Sequence, residues 1–98
     1  MTQTNYTRNI RSVGMTAFVN FFHLYKKYSF GLISKEQAVR EQINAGLSNE
    51  NGALIRLNNA KVIFDNNVEY KILKDIIDST RIDYSIKQKA INLMEKDA

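Results

Sequence analysis

The chain has 98 residues, a formal net charge of +4, 44% hydrophobic side chains and a mean hydropathy of −0.36. This length suits one compact domain with an ordinary core. Cysteine is absent, which excludes disulfides, thiolate nucleophiles and cysteine-based zinc sites. No apolar run approaches the roughly 18 residues of a membrane span. The N-terminus lacks a signal pattern, so a cytoplasmic protein is expected.

The excess positive charge is concentrated at the start of the chain. The first 35 residues contain no acidic side chain, whereas the remainder is almost balanced. The basic residues of this segment are Arg8, Arg11, Lys26, Lys27 and Lys35. This asymmetry suits contact with a polyanion such as nucleic acid, and it equally suits a charge that only maintains solubility.

Proline is absent and glycine is rare, and apolar residues recur with helical spacing. These features predict an all-α fold: a compact single-domain bundle of about five short helices over residues 9–98, after a flexible N-terminal arm of residues 1–8. The first helix should run from about residue 9 or 12 to Tyr28. Gly14 inside it costs about 1 kcal/mol relative to alanine, so either another helix crosses closely there or the helix begins after it.

The first helix should carry a narrow polar stripe at helical spacing. Its members are Thr16, Asn20, His23 and Lys27. The fourth and fifth helices, at about 68–79 and 83–96, are separated by a short joint. We therefore expect these two helices to pack as neighbours.

The second and third helices have the order of a helix-turn-helix. Ser34 and Gln37 form a capping-box pattern before a second helix over residues 35–45. Its buried side should consist of Ala38, Val39, Gln42, Ile43 and Ala45. Gly46 ends this helix, and Ser48 or Asn49 caps the third, which extends to about residue 64. The pattern is imperfect, because Gln42 occupies the place where a small residue is expected before the turn.

The third helix has an apolar inner face and a mixed outer face. The inner face contains Ala53, Leu57, Ala60 and Phe64. Ile55 and Val62 lie on the opposite face, seven residues apart, beside Asn58 and Asn59, with Arg56 and Lys61 at the borders of the inner face. Three interpretations follow. Ile55 and Val62 are core, or they form a protein interface such as a symmetric homodimer, or the face enters a DNA major groove.

Catalytic chemistry is not predicted. His23 is the single histidine, the carboxylates are scattered over solvated helix faces, and no glycine-rich phosphate loop is present. Enzymatic activity, metal binding and a cofactor are therefore not expected.

The sequence thus predicts a small non-enzymatic binding protein. One hypothesis is a DNA-binding regulator with a helix-turn-helix-like element. Its nucleic-acid contacts would be Arg8, Arg11, Lys26, Lys27, Lys35, Ile55, Arg56, Asn58, Asn59 and Lys61. The alternative is a protein-interaction module, a dimeric adaptor or an inhibitor of a larger complex, with Ile55 and Val62 as the anchors of its contact.

Overall fold

The computed structural model describes residues 3–97, with side chains from residue 6 to residue 96. Within this range every regular element is an α-helix. In chain order the helices are α1 (Gln3–Val13), α2 (Met15–Asn20), α3 (Phe22–Ser29), α4 (Lys35–Asn44), α5 (Glu50–Asp65), α6 (Glu69–Asp78) and α7 (Tyr84–Asp97). The predicted all-α class is confirmed, but this part of the chain forms seven helices rather than five. None of them combines the length and apolarity needed to cross a bilayer.

The single first helix predicted from the sequence is divided into α1, α2 and α3. Gly14 separates α1 from α2 with φ +90°, a backbone conformation that L side chains rarely adopt. Phe21 separates α2 from α3. Residues 3–8, predicted as a flexible arm, belong to α1, and residues 1 and 2 lie outside the described residues. All four residues of the predicted polar stripe are exposed.

Two predicted caps determine where α4 and α5 begin. The Ser34 hydroxyl accepts a hydrogen bond from the Gln37 amide at 3.1 Å, and the Asn49 side chain accepts one from the Gly52 amide at 2.8 Å. Gly46 follows α4 with φ +79°, which suits its role as a helix stop. Residues 45–49 connect the two helices, so the connection is longer than the three or four residues of a tight helix-turn-helix.

The core forms where α5 contacts α1, α3 and α4. The predicted inner face of α5 is buried, and Phe64 at its end lies 5.1 Å from the Phe22 ring and 5.8 Å from the Phe18 ring, measured between centroids. At the other end of the chain α7 packs on α6 and on α2. The predicted pairing of the last two helices is therefore confirmed.

A buried hydrogen-bond network joins α3, α4 and α5. The Tyr25 hydroxyl donates to Gln42 Oε1 at 2.9 Å, and Gln42 Nε2 lies 3.2 Å from the carbonyl oxygens of both Ala38 and Ala53. Gln42 is 0% exposed. Every polar atom of its amide has a partner, which explains how a polar residue occupies the position expected for a small one.

The prediction for the buried side of α4 is partly wrong. Ala38, Val39 and Gln42 are buried, but Ile43 and Ala45 are exposed. Ile43 lies in the last turn of α4, and Ala45 is the C-cap that follows it. The buried side of α4 therefore ends at Gln42.

Candidate interaction surface

The outer face of α5 is open to solvent. Ile55 is 45% exposed and Val62 is 39% exposed, and Asn58 between them is also exposed. The interpretation that Ile55 and Val62 belong to the core of the monomer is therefore wrong. Among the residues whose side chains the structure describes, neither belongs to the hydrophobic core cluster.

Arg56 is held by α1 and is not part of this open face. Its guanidinium donates a hydrogen bond through Nη1 to the carbonyl oxygen of Val13, the last residue of α1. A Cβ atom at Gly14 would lie only 3.1 Å from the same Nη1. Arg56 thus supports the break between α1 and α2, and contact with a guanine base would require it to leave that position.

Asn59 is also engaged within the chain. Its Oδ1 accepts a hydrogen bond from Asn9 Nδ2 at 2.8 Å, and its Nδ2 donates to the Ile55 carbonyl at 2.8 Å. Bidentate recognition of adenine needs both ends of an asparagine amide. Of the two neighbouring asparagines, only Asn58 therefore presents its amide to solvent.

The other basic residues predicted as nucleic-acid contacts have different environments. Lys61 Nζ forms an ion pair with Asp65 at 2.7 Å, and that hydrogen bond raises the pKa of Lys61. Lys26 is partly buried, with Nζ 6.0 Å from the centre of the Phe30 ring. The remaining predicted cations are exposed. They are Arg8, Arg11, Lys27 and Lys35.

A groove that the sequence analysis missed lies between α4 and α5, beside the exposed face. It has a volume of about 420 Å³, and its apolar lining comes from Val39, Ile43 and Leu54. Helical spacing alone predicts that Ile43 is buried in the core. For this reason the sequence does not reveal a groove that Ile43 lines. Lys35 and Arg40 line the groove together with Glu36 and Glu50, so its charged side chains are balanced.

Five exposed positions along one face of α5 and its C-cap follow a pattern that is nearly the same in both directions along the helix. We call these positions the α5 outer stripe. They are Asn51, Ile55, Asn58, Val62 and Asn66, the last being the C-cap. The pattern is centred midway between Asn58 and Asn59. Asn51 and Asn66 lie equally far from this centre on opposite sides, and so do Ile55 and Val62. Amides thus stand at both ends and at the centre, with one β-branched residue in each half.

Within the residues whose side chains the structure describes, no group of three histidine or acidic side chains lies close enough to hold a metal ion. His23 is exposed, and its ring makes an edge contact with Phe22 at 5.8 Å between centroids. Comparisons of the chain with protein-family models, curated proteins and solved structures found no match. The function is therefore inferred from the surface of this chain alone.

Proposed function

We propose that this protein is a non-enzymatic interaction module that binds another protein through the α5 outer stripe. We further propose that this partner is a second copy of the same protein. The exposure of Ile55 and Val62 carries the proposal. Apolar side chains rimmed by polar groups on an otherwise polar helix face are typical of a small protein contact. The neighbouring Arg56 and Asn59 are held by α1, so they define a fixed border to this face.

The two-directional pattern of the stripe favours a second copy as the partner. In a two-fold symmetric contact, each residue meets the residue that corresponds to it in the other copy. If two α5 helices pack antiparallel about the midpoint between Asn58 and Asn59, Ile55 of each copy meets Val62 of the other. The two Asn58 amides then lie beside the two-fold axis, offset by about 1.5 Å along the helix direction, and one can donate a hydrogen bond to the other. Both apolar pairs and the central polar pair are satisfied by one arrangement.

The size of the stripe sets the expected affinity. A helix of 16 residues is about 24 Å long, and one helix face buries less than the ~800 Å² per partner of a stable interface. We therefore expect a weak dimer in the micromolar range or above. The apolar lining of the neighbouring α4–α5 groove enlarges the contact if the second copy also covers Leu54.

Sedimentation velocity over a range of protein concentrations tests this proposal. The wild-type protein should change from monomer to dimer as concentration rises, and Ile55→Ser and Val62→Ser should both remain monomeric with unchanged helical circular dichroism. Tyr84→Ser is the matched control, because Tyr84 is a large hydrophobic residue that is 76% exposed on another helix. A wild-type protein that stays monomeric at millimolar concentration would refute self-association.

Duplex DNA is the second candidate partner. It is favoured by the solvent-facing Asn58 amide, which could bond adenine, and by the exposed Arg8 and Arg11 on α1, which packs against α5. Helices α4 and α5 follow one another in the chain as the two helices of a helix-turn-helix do, although a five-residue connection joins them. The engagement of Arg56 and Asn59 within the chain removes two of the predicted base contacts, which is why we rank DNA second.

Fluorescence anisotropy with a mixed pool of short duplexes tests the DNA candidate. Binding that weakens steeply as salt rises, and that Asn58→Ala alters for some sequences only, would support it. Arg8→Gln should reduce the affinity for all sequences alike, since phosphate contacts carry no sequence information. Arg56 is unsuitable for this test, because its loss also removes the hydrogen bond to Val13.

A further inference from the structure

A second concave site lies away from α5, where α7 packs on α2. It is a groove of about 310 Å³ with Val19 and Leu93 among its apolar lining. Polar side chains from both walls surround them: Asn20 and His23 from the α2–α3 side, and Lys89, Asn92 and Lys96 from α7. The two walls are distant in sequence, so only the folded chain brings these groups together.

Among the residues whose side chains the structure describes, no carboxylate pairs with the lysines of this groove. Lys89 Nζ donates a hydrogen bond to Asn20 Oδ1 at 3.0 Å. This acceptor is a neutral amide oxygen. The side chains of Lys96 and His23 have no hydrogen bond or ion pair among the residues that the structure describes. The α2–α3 wall supplies no acid, since the first 35 residues contain none. The described lining thus contains two ammonium groups, an imidazole and two amides, and none of its described side chains is acidic.

The spacing on α7 directs both ammonium groups to the same groove. Lys89 and Lys96 are seven residues apart, which places them on one face of the helix about 10 Å apart along its axis. Asn92 lies between them on that face, and its amide can donate hydrogen bonds. Lys87 and Glu95 lie on other sides of α7, and neither lines the groove. The arrangement is therefore a cluster of donors facing the α2–α3 wall.

We infer that this groove binds the phosphate group of a small phosphorylated molecule. Lysine ammonium groups bind phosphate oxygens as point charges, and amide donors satisfy the remaining oxygens. The two ammonium groups match the two negative charges of a phosphate monoester better than the single charge of a carboxylate. The volume is at the lower end of the range for small-molecule sites, and the apolar lining can contact the rest of the ligand.

Titration with sodium pyrophosphate, followed by ¹H–¹⁵N and imidazole NMR signals at pH 7 and constant ionic strength, tests this inference. The signals of His23 and of residues 89–96 should shift together and saturate in the millimolar range. Each of Lys89→Gln and Lys96→Gln should weaken binding about two- to fivefold, as expected for a solvent-exposed ion pair, and the double variant about tenfold. Lys87→Gln removes the same charge from another side of α7 and should leave the affinity within twofold.

Three results would overturn the inference. The first is a shift that does not saturate or that sodium chloride reproduces at equal ionic strength. The second is an equal loss of affinity in Lys87→Gln, which would indicate attraction to net charge. The third is a short DNA duplex that shifts the groove signals while pyrophosphate does not, which would assign the lysines to a nucleic-acid surface. None of these residues belongs to the α5 outer stripe, so the outcome is independent of dimerisation.

Discussion

The buried pair of Tyr25 and Gln42 permits a quantitative test of what holds α3, α4 and α5 together. Tyr25→Phe removes the donor to Gln42 Oε1, and Gln42→Met removes the acceptor of the Tyr25 hydroxyl. Both side chains are 0% exposed, so water cannot replace the missing partner. Each single substitution should therefore cost about 1–3 kcal/mol of unfolding free energy, the usual effect of leaving a buried polar group without its partner.

The double variant should cost much less than the sum of the two single variants, because neither polar group then remains. The carbonyls of Ala38 and Ala53 lose Gln42 Nε2, but both lie inside helices and keep their regular backbone hydrogen bonds. We expect a coupling energy of about 1–2 kcal/mol from a double-mutant cycle. Urea unfolding followed by circular dichroism measures it, and each kcal/mol should also shift Tm by about 4–8 °C.

Additive free energies, with a coupling below about 0.5 kcal/mol, would refute this account of the network. Such a result would mean that the Tyr25 hydroxyl finds another partner or that the site admits water. A large cost in the double variant with little cost in Tyr25→Phe would instead indicate that Gln42 acts mainly through its bonds to Ala38 and Ala53.

Three further predictions concern stability, each measured by urea unfolding. Burial raises the pKa of Tyr25, with the Arg56 charge opposing the shift. Above about pH 10 the unfolded chain loses this proton while the folded chain retains it, so stability should fall by up to ~1.4 kcal/mol per pH unit. Tyr25→Phe should lack this loss of stability at high pH. If the wild type and Tyr25→Phe lost stability equally as pH rises, the prediction would be contradicted. Gly14→Ala should cost about 1–3 kcal/mol because φ is +90° and Arg56 is close, whereas Gly31→Ala, also at positive φ but in open space, should cost less. Asn49→Ala should cost about 1 kcal/mol through the lost cap and Asn51→Ala close to none; equal effects would contradict the capping role.

Local features of the fold could be predicted from the sequence because their causes are local. Ser34 and Asn49 cap their helices within three residues, and the inner face of α5 follows from helical spacing. Gly14 is unfavourable inside a predicted helix, so the sequence indicates either a close helix crossing there or a helix that begins after it. The structure contains features of both, since the helix is interrupted there and Arg56 of another helix lies close.

The surface could not be predicted in full, because it depends on contacts between distant segments. Arg56 and Asn59 look like base-contacting residues in the sequence, but they bond to Val13 and Asn9, which lie more than 40 residues earlier. Likewise, His23 has no acidic neighbour in sequence and lies far from Lys89 and Lys96. It joins the α7 lysines only because α2 packs on α7. Hydrophobic spacing identifies which face of a helix is apolar, but it does not identify which helix covers that face.

Engineered cysteines provide the most direct test of the proposed antiparallel dimer, because the chain has no cysteine of its own. Asn58→Cys places two thiols near the two-fold axis, where a disulfide can form under mild oxidation. Asn51→Cys alone places its two thiols roughly 20 Å apart along the helices and should remain monomeric. An equal mixture of Asn51→Cys and Asn66→Cys should form the mixed disulfide.

The measurement is the fraction of cross-linked chains on a non-reducing gel. Efficient cross-linking of Asn58→Cys and of the mixed pair, without cross-linking of Asn51→Cys alone, is the predicted result. Cross-linking of Asn51→Cys alone would indicate a parallel pairing. No preference among the three samples would contradict the proposal that the α5 outer stripe is the contact surface.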